Sequence, residues 1–289
     1  SLKFLIVTTD FEGMDDGRVG HSIRMSYLAN WLRSEGHVVS LLITKLVTKE
    51  QQQKCGFELL NNDPKILNEG NLNIPNLCYH MMEHDIRYLV TSSPPLINNQ
   101  IGLQIKKFAG DAIMWVCDVR DHASLHPYLR PKDEEKLIKL KKLEATIASS
   151  ADLNTVVSDY SLDYQKALGI ALDLPLRPEQ ITTIFNGAVP VEYEEVPQKI
   201  LEVIQKAKSR GRKIFGFFGT GNISKAGGNK SLLPILSAIA SAPELRVTLI
   251  ICGAIQQDPE LLDQFKTTID LHIFQPVNYA QSRSAIRLC

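Results

Sequence analysis

The run Phe4-Leu5-Ile6-Val7-Thr8 leads through a loop carrying Gly13, Gly17 and Gly20 into a helical pattern at about 21–35, and Val38-Val39-Ser40-Leu41-Leu42-Ile43 follows. Both runs are apolar on successive residues rather than alternate ones, as in strands buried on both faces of a parallel sheet. Between them Met25, Leu28 and Leu32 share one helical face, with Trp31 beside them, and Gly36 is a natural stop. Strand, helix and a second buried strand make a βαβ unit, which commits the chain to an open α/β sheet.

The same alternation continues. Further strands are predicted at Tyr88–Thr91, Ile113–Cys117, Leu153–Val157 and Thr182–Phe185, then at Ile214–Phe218, Val247–Cys252 and Leu271–Phe274. Helices are predicted over about 99–108, 133–149, 158–168, 196–210, 229–240 and 259–267, whereas 45–73 reads only as helix plus loops. After Asn186-Gly187 the polar cluster Pro190, Glu192, Glu194, Glu195 and Pro197 separates two α/β series. The expected domains are 1–190 and 191–289, each a Rossmann-like doubly wound parallel sheet, with the second incomplete at three clear strands.

Length and composition agree. A chain of 289 residues favours two domains. With 44% apolar and 22% charged residues it is an ordinary globular sequence. Lys plus Arg equals Asp plus Glu at 32 each, which argues against a nucleic-acid coat. Cys55, Cys78, Cys117, Cys252 and Cys289 are scattered and odd in number, so neither a disulfide framework nor a zinc knuckle is indicated. Thiols inside apolar runs suit a reducing cytoplasm. No apolar stretch approaches the ~20 residues that span a bilayer.

Chemistry-bearing residues gather at predicted strand ends, where open α/β sheets bind ligands. After the first strand, Gly17 and Gly20 allow close backbone approach; the alternative is a loop with permissive glycines. Thr91-Ser92-Ser93-Pro94-Pro95 places small hydroxyls at a rigid turn, where they bind a ligand or satisfy backbone. Trp115-Val116-Cys117-Asp118-Val119-Arg120-Asp121-His122 is the most unusual stretch. Asp118 and Arg120 can pair to order the loop while Asp121 or His122 faces a cleft and accepts a proton from a hydroxyl; the alternative is an ion-paired scaffold.

In the second series Phe217-Phe218-Gly219-Thr220-Gly221 runs from a buried strand into a loop holding Lys225 and Lys230. It is neither a complete Gly-x-Gly-x-x-Gly nor a Walker loop. Backbone N–H groups with an ammonium suit a diphosphate there; the alternative is a solvated basic loop. No Asp-x-Asp is present to hold a metal–nucleotide pair. His80 and His84 stand four residues apart, but a metal needs a third ligand, which favours packing.

Taken together these pieces resemble the GT-B glycosyltransferases, specifically the retaining family 4. Gly17-Arg18-Val19-Gly20, Tyr27-Leu28-Ala29-Asn30-Trp31-Leu32 and Gly36-His37-Val38-Val39 resemble the family's opening. Asp118-Val119-Arg120-Asp121 resembles its D-x-R-D segment, and Ser150-Ala151-Asp152-Leu153-Asn154-Thr155-Val156-Val157-Ser158 its "ADLVITVS". Ile184-Phe185-Asn186-Gly187 resembles the run before its linker, and Phe218-Gly219-Thr220 with Ile250-Ile251-Cys252-Gly253 the start of its donor domain. The family's Glu-x7-Glu motif would fall beyond Cys289, so the resemblance implies a C-terminally truncated donor domain.

The resemblance implies metal-independent, retaining transfer of a sugar from a nucleotide-diphosphate sugar to a hydroxyl acceptor (sugar, lipid or other), a hexosyltransferase-like activity without a further cofactor. Asp118, Asp121 and His122 would be the catalytic set. Gly17, Gly20, Gly219, Gly221, Lys225 and Lys230 would hold the donor in an interdomain cleft. Expected partners exclude nucleic acid and metal. The expected location is cytoplasmic, with peripheral contact at the inner membrane face in relatives that use lipid acceptors; Lys136, Lys139, Lys141 and Lys142 are the only hint of it here and read better as a solvated helix face. Competing readings are a nucleotide-sugar epimerase of the same fold, a non-catalytic nucleotide- or sugar-binding fragment and, more distantly, an NAD-linked oxidoreductase.

Overall fold

The computed structural model describes residues 1–289 apart from 10, 12–22, 46, 69, 127–129, 188–192 and 225–229. The chain divides into two compact units, Ser1–Gly187 and Ala188–Cys289.

Unit 1 holds one parallel sheet. Its strands are β1 Lys3–Thr8, β2 Val38–Ile43, β3 Glu58–Leu59, β4 Tyr88–Ser93, β5 Met114–Val119, β6 Leu153–Val156 and β7 Ile181–Thr183, in the order β3-β2-β1-β4-β5-β6-β7. The winding reverses at β1, so the carboxyl ends of β1 and β4 flank the switch point where such sheets bind ligands. Helices α1 Ile23–Ser34, α2 Lys49–Lys54, α3 Ile74–Glu83, α4 Ile97–Ala109, α5 Glu134–Ser150 and α6 Asp159–Ala171 complete the unit.

Two hydrophobic cores explain the continuous apolar runs. Leu5 and Val7 belong to one, with Leu77, Leu89, Ile105 and Trp115. Ile6, between them, belongs to the other, with Met25, Leu32, Leu41 and Ile43. Successive side chains point to opposite faces, so a strand covered on both sides is apolar at every position. Local signals set the helix ends. Asp133 caps α5 by accepting from Lys136 N at 2.9 Å, and Ser158 caps α6 by accepting from Ser161 N at 3.2 Å. Past α1, His37 N donates to Leu32 O and Gly36 N to Arg33 O, each at 3.0 Å, the paired bonds of a Schellman stop.

Unit 2 contains β8 Lys213–Phe218, β9 Gly221–Ile223, β10 Val247–Cys252, β11 Ile255–Gln257 and β12 Asp270–Phe274. Parallel pairing gives a three-stranded sheet β8-β10-β12 and a two-stranded one, β9-β11. Helices α7 Gln198–Ser209, α8 Leu233–Ala240, α9 Pro259–Thr268 and α10 Tyr279–Leu288 surround them. Leu249 and Ile251 enter one core, Ile250 and Cys252 the other. Burial pushes the Cys78 thiol up to about 11 and the Cys252 thiol up to about 12.

Three expectations change. Among the described residues β8 pairs with β10 alone and is an edge strand with Phe215 52% exposed, not a buried one. α8 starts at Leu233, after the non-helical residues 230–232 that the expected helix included, since Pro234 is tolerated only in a helix's first turn. Segment 45–73 adds α2, β3 and a hairpin of Leu67–Asn68 with Asn71–Leu72.

Candidate functional site

In unit 1 the strand ends are knotted together by one carboxylate. Asp118, at the end of β5, is 2% exposed. Its Oδ1 accepts from Arg24 Nη2 at 2.9 Å, Arg24 Nε at 3.2 Å and Thr155 Oγ1 at 2.7 Å. Its Oδ2 accepts from Ser92 Oγ at 2.8 Å. Asp118 therefore ties α1, β4 and β6 to β5. Arg24 also donates Nη1 to Asn186 Oδ1 at 3.3 Å, which brings the segment after β7 into the same cluster. The sequence pattern allowed Asp118 to pair with Arg120. Instead the Arg120 guanidinium donates to Ser93 O at 3.2 Å and Pro94 O at 3.0 Å, while Asp118 takes Arg24.

The hydroxyls of β4 are engaged with side chains. Thr91 Oγ1 donates to Asn99 Oδ1 at 2.7 Å and accepts from Trp115 Nε1 at 2.9 Å; Asn99 Nδ2 donates to Ser93 Oγ at 3.0 Å. Neighbouring Asn98 donates Nδ2 to Ser92 O at 2.7 Å and to Thr9 Oγ1 at 3.2 Å, and its Oδ1 accepts from Thr44 Oγ1 at 2.7 Å. The two asparagines opening α4 thus fasten the ends of β1, β2 and β4.

Asp121 and His122 leave β5 in different environments. Asp121 is exposed, and among the described residues no hydrogen bond or ion pair holds it. His122 is 5% exposed, packs edge-on against Tyr164 at 4.8 Å between ring centroids and places Nε2 3.3 Å from Ser161 O. With Nε2–H donating there, Nδ1 is left as the acceptor. Burial lowers its pKa from the ordinary 6.5, against the opposing pull of Glu144 and the Ser161 carbonyl, and favours the neutral imidazole.

Beside it Ser124 donates its hydroxyl to Glu144 Oε2 and its N–H to Glu144 Oε1 at 3.2 Å; Ser124 Oγ and Tyr164 OH are 2.7 Å apart. Asp121, His122, Glu144 and Gln165 border a cavity of about 20 Å3, water-sized, into which Gln165 Oε1 brings a buried oxygen without a hydrogen-bond partner.

Unit 2 carries a larger cavity of about 750 Å3 at the carboxyl ends of β8, β10 and β12. Thr220, Asn222, Gln257 and Gln275 line it, with the ammonium-bearing Lys230 and Lys266. No carboxylate lines it among the described residues, so its field favours an anion. The glycines build its floor. A Cβ on Gly253 would sit 1.7 Å from Gly219 O, so the turns after β8 and β10 meet only without a side chain there. Gly219 N donates to Cys252 O at 3.0 Å and Gly221 N to Ala254 O at 3.2 Å. These two N–H groups hold the turns together, which leaves the charge of a ligand to the lysines.

Of the residues singled out by sequence, Gly17, Gly20 and Lys225 lie outside the described residues. In unit 1 Asp121 and His122 border one small cavity, while Asp118 is held apart by Arg24, Ser92 and Thr155; in unit 2 Gly221 and Lys230 line the larger cavity, and Gly219 lies in the turn against Gly253. Arg24, Asn98, Asn99, Glu144 and Lys266 were not anticipated. The Asn-Asn pair after Pro94-Pro95 lies inside α4, whose N-cap is Leu96, and its amides turn to β4 instead of capping the helix; Lys266, in the last turn of α9, looks like any C-terminal helix lysine. The rings of His80 and His84 meet at 4.2 Å between centroids, tilted by 39°, and among the described residues no group of three His, Cys, Asp or Glu is placed to hold a metal ion.

Both units are built on parallel sheets, and the fold shared with solved structures is GT-B. Neither a protein-family model nor a curated protein matches the chain in sequence. Solved structures do match it. The glycosyltransferase from Rickettsia africae ESF-5 superposes with TM-score 0.59 at 14% identity, over 99% of this chain and 71% of that one. The lipopolysaccharide outer core galactosyltransferase WaaB gives 0.54 at 11%, over 95% and 68%. A putative UDP-N-acetylglucosamine 2-epimerase from Listeria monocytogenes gives 0.53 at 13%, over 99% and 72%. At such identities the likeness is one of fold.

Proposed function

We propose that the chain is a glycosyltransferase that moves a sugar from a nucleotide-diphosphate sugar to a hydroxyl acceptor. The carrying observation is the unit 2 cavity: strand-end placement, room for a nucleotide and two lysines without an opposing carboxylate. Lys230 and Lys266 neutralise the diphosphate as the bond from sugar C1 to the phosphate oxygen breaks and its electron pair passes to that oxygen. A new bond forms from C1 to the acceptor oxygen, whose proton is taken up by a base. Asp121 is the exposed carboxylate suited to orient and deprotonate that hydroxyl. Asp118, held by Arg24, Ser92 and Thr155, fixes the strand end from which Asp121 emerges, and His122 is its neutral buried neighbour.

Retention of configuration, independence from metal and kinship with family 4 follow from the residue resemblance and belong to the proposal, as does action on the cytoplasmic side of a membrane. Among the described residues no helix is long and apolar enough to cross one. The fold shared with the Listeria protein supports a second reading, nucleotide-sugar epimerisation, which needs no acceptor.

Calorimetric titration with UDP and GDP, with NAD as control, tests the donor site. Saturable binding of one nucleoside diphosphate is expected; binding of NAD alone would overturn both readings. Product analysis then separates transfer, which consumes acceptor, from epimerisation.

A further inference from the structure

A second sizeable cavity, about 520 Å3, opens in unit 1 at the end of β2. Its floor is Leu42, and its walls are Ile97 and Ile101 of α4 and Leu67 and Leu72 of the hairpin. The volume lies in the range of small-molecule sites. Three of its polar residues, Asn61, Thr44 and Lys45, are already engaged. Asn61 donates Nδ2 to Ile43 O at 2.7 Å and accepts from Ile43 N at 2.8 Å, continuing the sheet edge with a side-chain amide. The Thr44 hydroxyl donates to Asn98 Oδ1. Lys45 also borders the space and is itself engaged. The surface offered to a ligand is therefore branched aliphatic, without an aromatic ring among the described lining residues, and the exposed Gln104 of α4 completes it.

The cavity is tied to the catalytic strand ends. From Thr44 the hydrogen bonds run to Asn98, from Asn98 to Ser92 and from Ser92 to Asp118. β2 and β5 are three sheet spacings apart, about 14 Å. A molecule seated in the cavity thus lies on the same edge of the sheet as Asp121.

We infer that this cavity holds an alkyl chain of the acceptor, whose hydroxyl-bearing head stays outside it along the strand ends. The assignment rests on the glycosyl-transfer reading. The aliphatic walls account for the tail's affinity by removing its methylenes from water. They provide little for a bare sugar, which would find its hydroxyls facing branched aliphatic side chains and, Gln104 at the rim apart, polar groups already paired.

The test is methyl NMR on isoleucine-labelled protein titrated with octyl β-D-glucoside below its micelle concentration, with glucose as control. Saturable shifts at Ile97, Ile101 and Ile74 are expected with the glucoside, and none with glucose. Gln104→Trp fills the cavity from an exposed position and should weaken binding about tenfold or more. Ile97→Gln, at a position already 45% exposed, should weaken it severalfold while keeping the fold. Absent or non-saturating shifts, shifts centred on unit 2, or unchanged affinity in both variants would overturn the inference. Nucleotide-sugar hydrolysis is measured in parallel. Hydrolysis without glucoside binding removes the alkyl site and leaves transfer standing. Glucoside binding by a protein that neither binds nor turns over any nucleotide sugar overturns the assignment to an acceptor.

Discussion

Asp118 and Arg24 form a buried ion pair, 2.9 Å from Arg24 Nη2 to Asp118 Oδ1, with 3% and 18% of their side-chain surfaces exposed. The pair bridges the first helix and the fifth strand, and two hydroxyls satisfy the remaining carboxylate lone pairs. Removing one partner strands a buried charge. Arg24→Met should cost about 3–5 kcal/mol of stability, and Arg24→Met with Asp118→Asn together should cost less than the sum of the two single changes. Urea denaturation of the four proteins of the cycle measures this; strictly additive losses would show that the pair is not coupled.

Asp121 is exposed and carries no such structural duty. Asp121→Ala should leave the melting temperature unchanged and lower transfer by about a hundredfold or more. Activity at the wild-type level would remove Asp121 from the site.

His122 makes stability depend on pH. Its folded pKa lies below the unfolded 6.5, so the unfolded state binds the proton more readily. The stability associated with the neutral ring is complete above 6.5, falls as pH drops below that value, and stops falling once the folded pKa is passed. His122→Gln should flatten this part of the profile, read by thermal melts at successive pH values. Equal slopes in both proteins would mean that another group sets the profile.

Lys230 and Lys266 border the unit 2 cavity without opposing carboxylates among its described residues. Replacing either by Ala should weaken nucleoside diphosphate binding about tenfold, and raising salt should weaken the wild type more than the double variant. Calorimetry at two ionic strengths checks both statements.

A Cβ on Gly102 would stand 2.4 Å from the indole of the fully buried Trp115. Gly102→Ala should therefore destabilise by about 1–3 kcal/mol through overpacking, although alanine is the better helix former. A neutral or stabilising effect on denaturation would show that the indole can shift at no cost.

The main strands were legible because burial on both faces writes an unbroken apolar run, as Leu5-Ile6-Val7 and Leu249-Ile250-Ile251 do. The polar residues at their ends were legible because they break those runs abruptly. Their partners were not. Arg24 meets Asp118 across 94 residues, and neither its type nor its spacing announces the contact. Glu144 sits among lysines on a helix that looks solvated, yet its carboxylate turns inward to Ser124. β3, β9 and β11 span two or three residues each, too few for any period to show.

The double covering of the unit 1 sheet also shapes how such a protein can change over generations. Leu5 answers to one core and Ile6 to the other, so a substitution in mid-strand threatens folding whichever way it points. The 45–73 segment is bound in the same way where Leu59 and Ile66 enter the two cores, whereas exposed strand-end positions such as Asp121 answer to neither. Lineages built on this scaffold should diverge first at that rim, acquiring new ligands by rewriting turns while the interior of each strand stays nearly fixed.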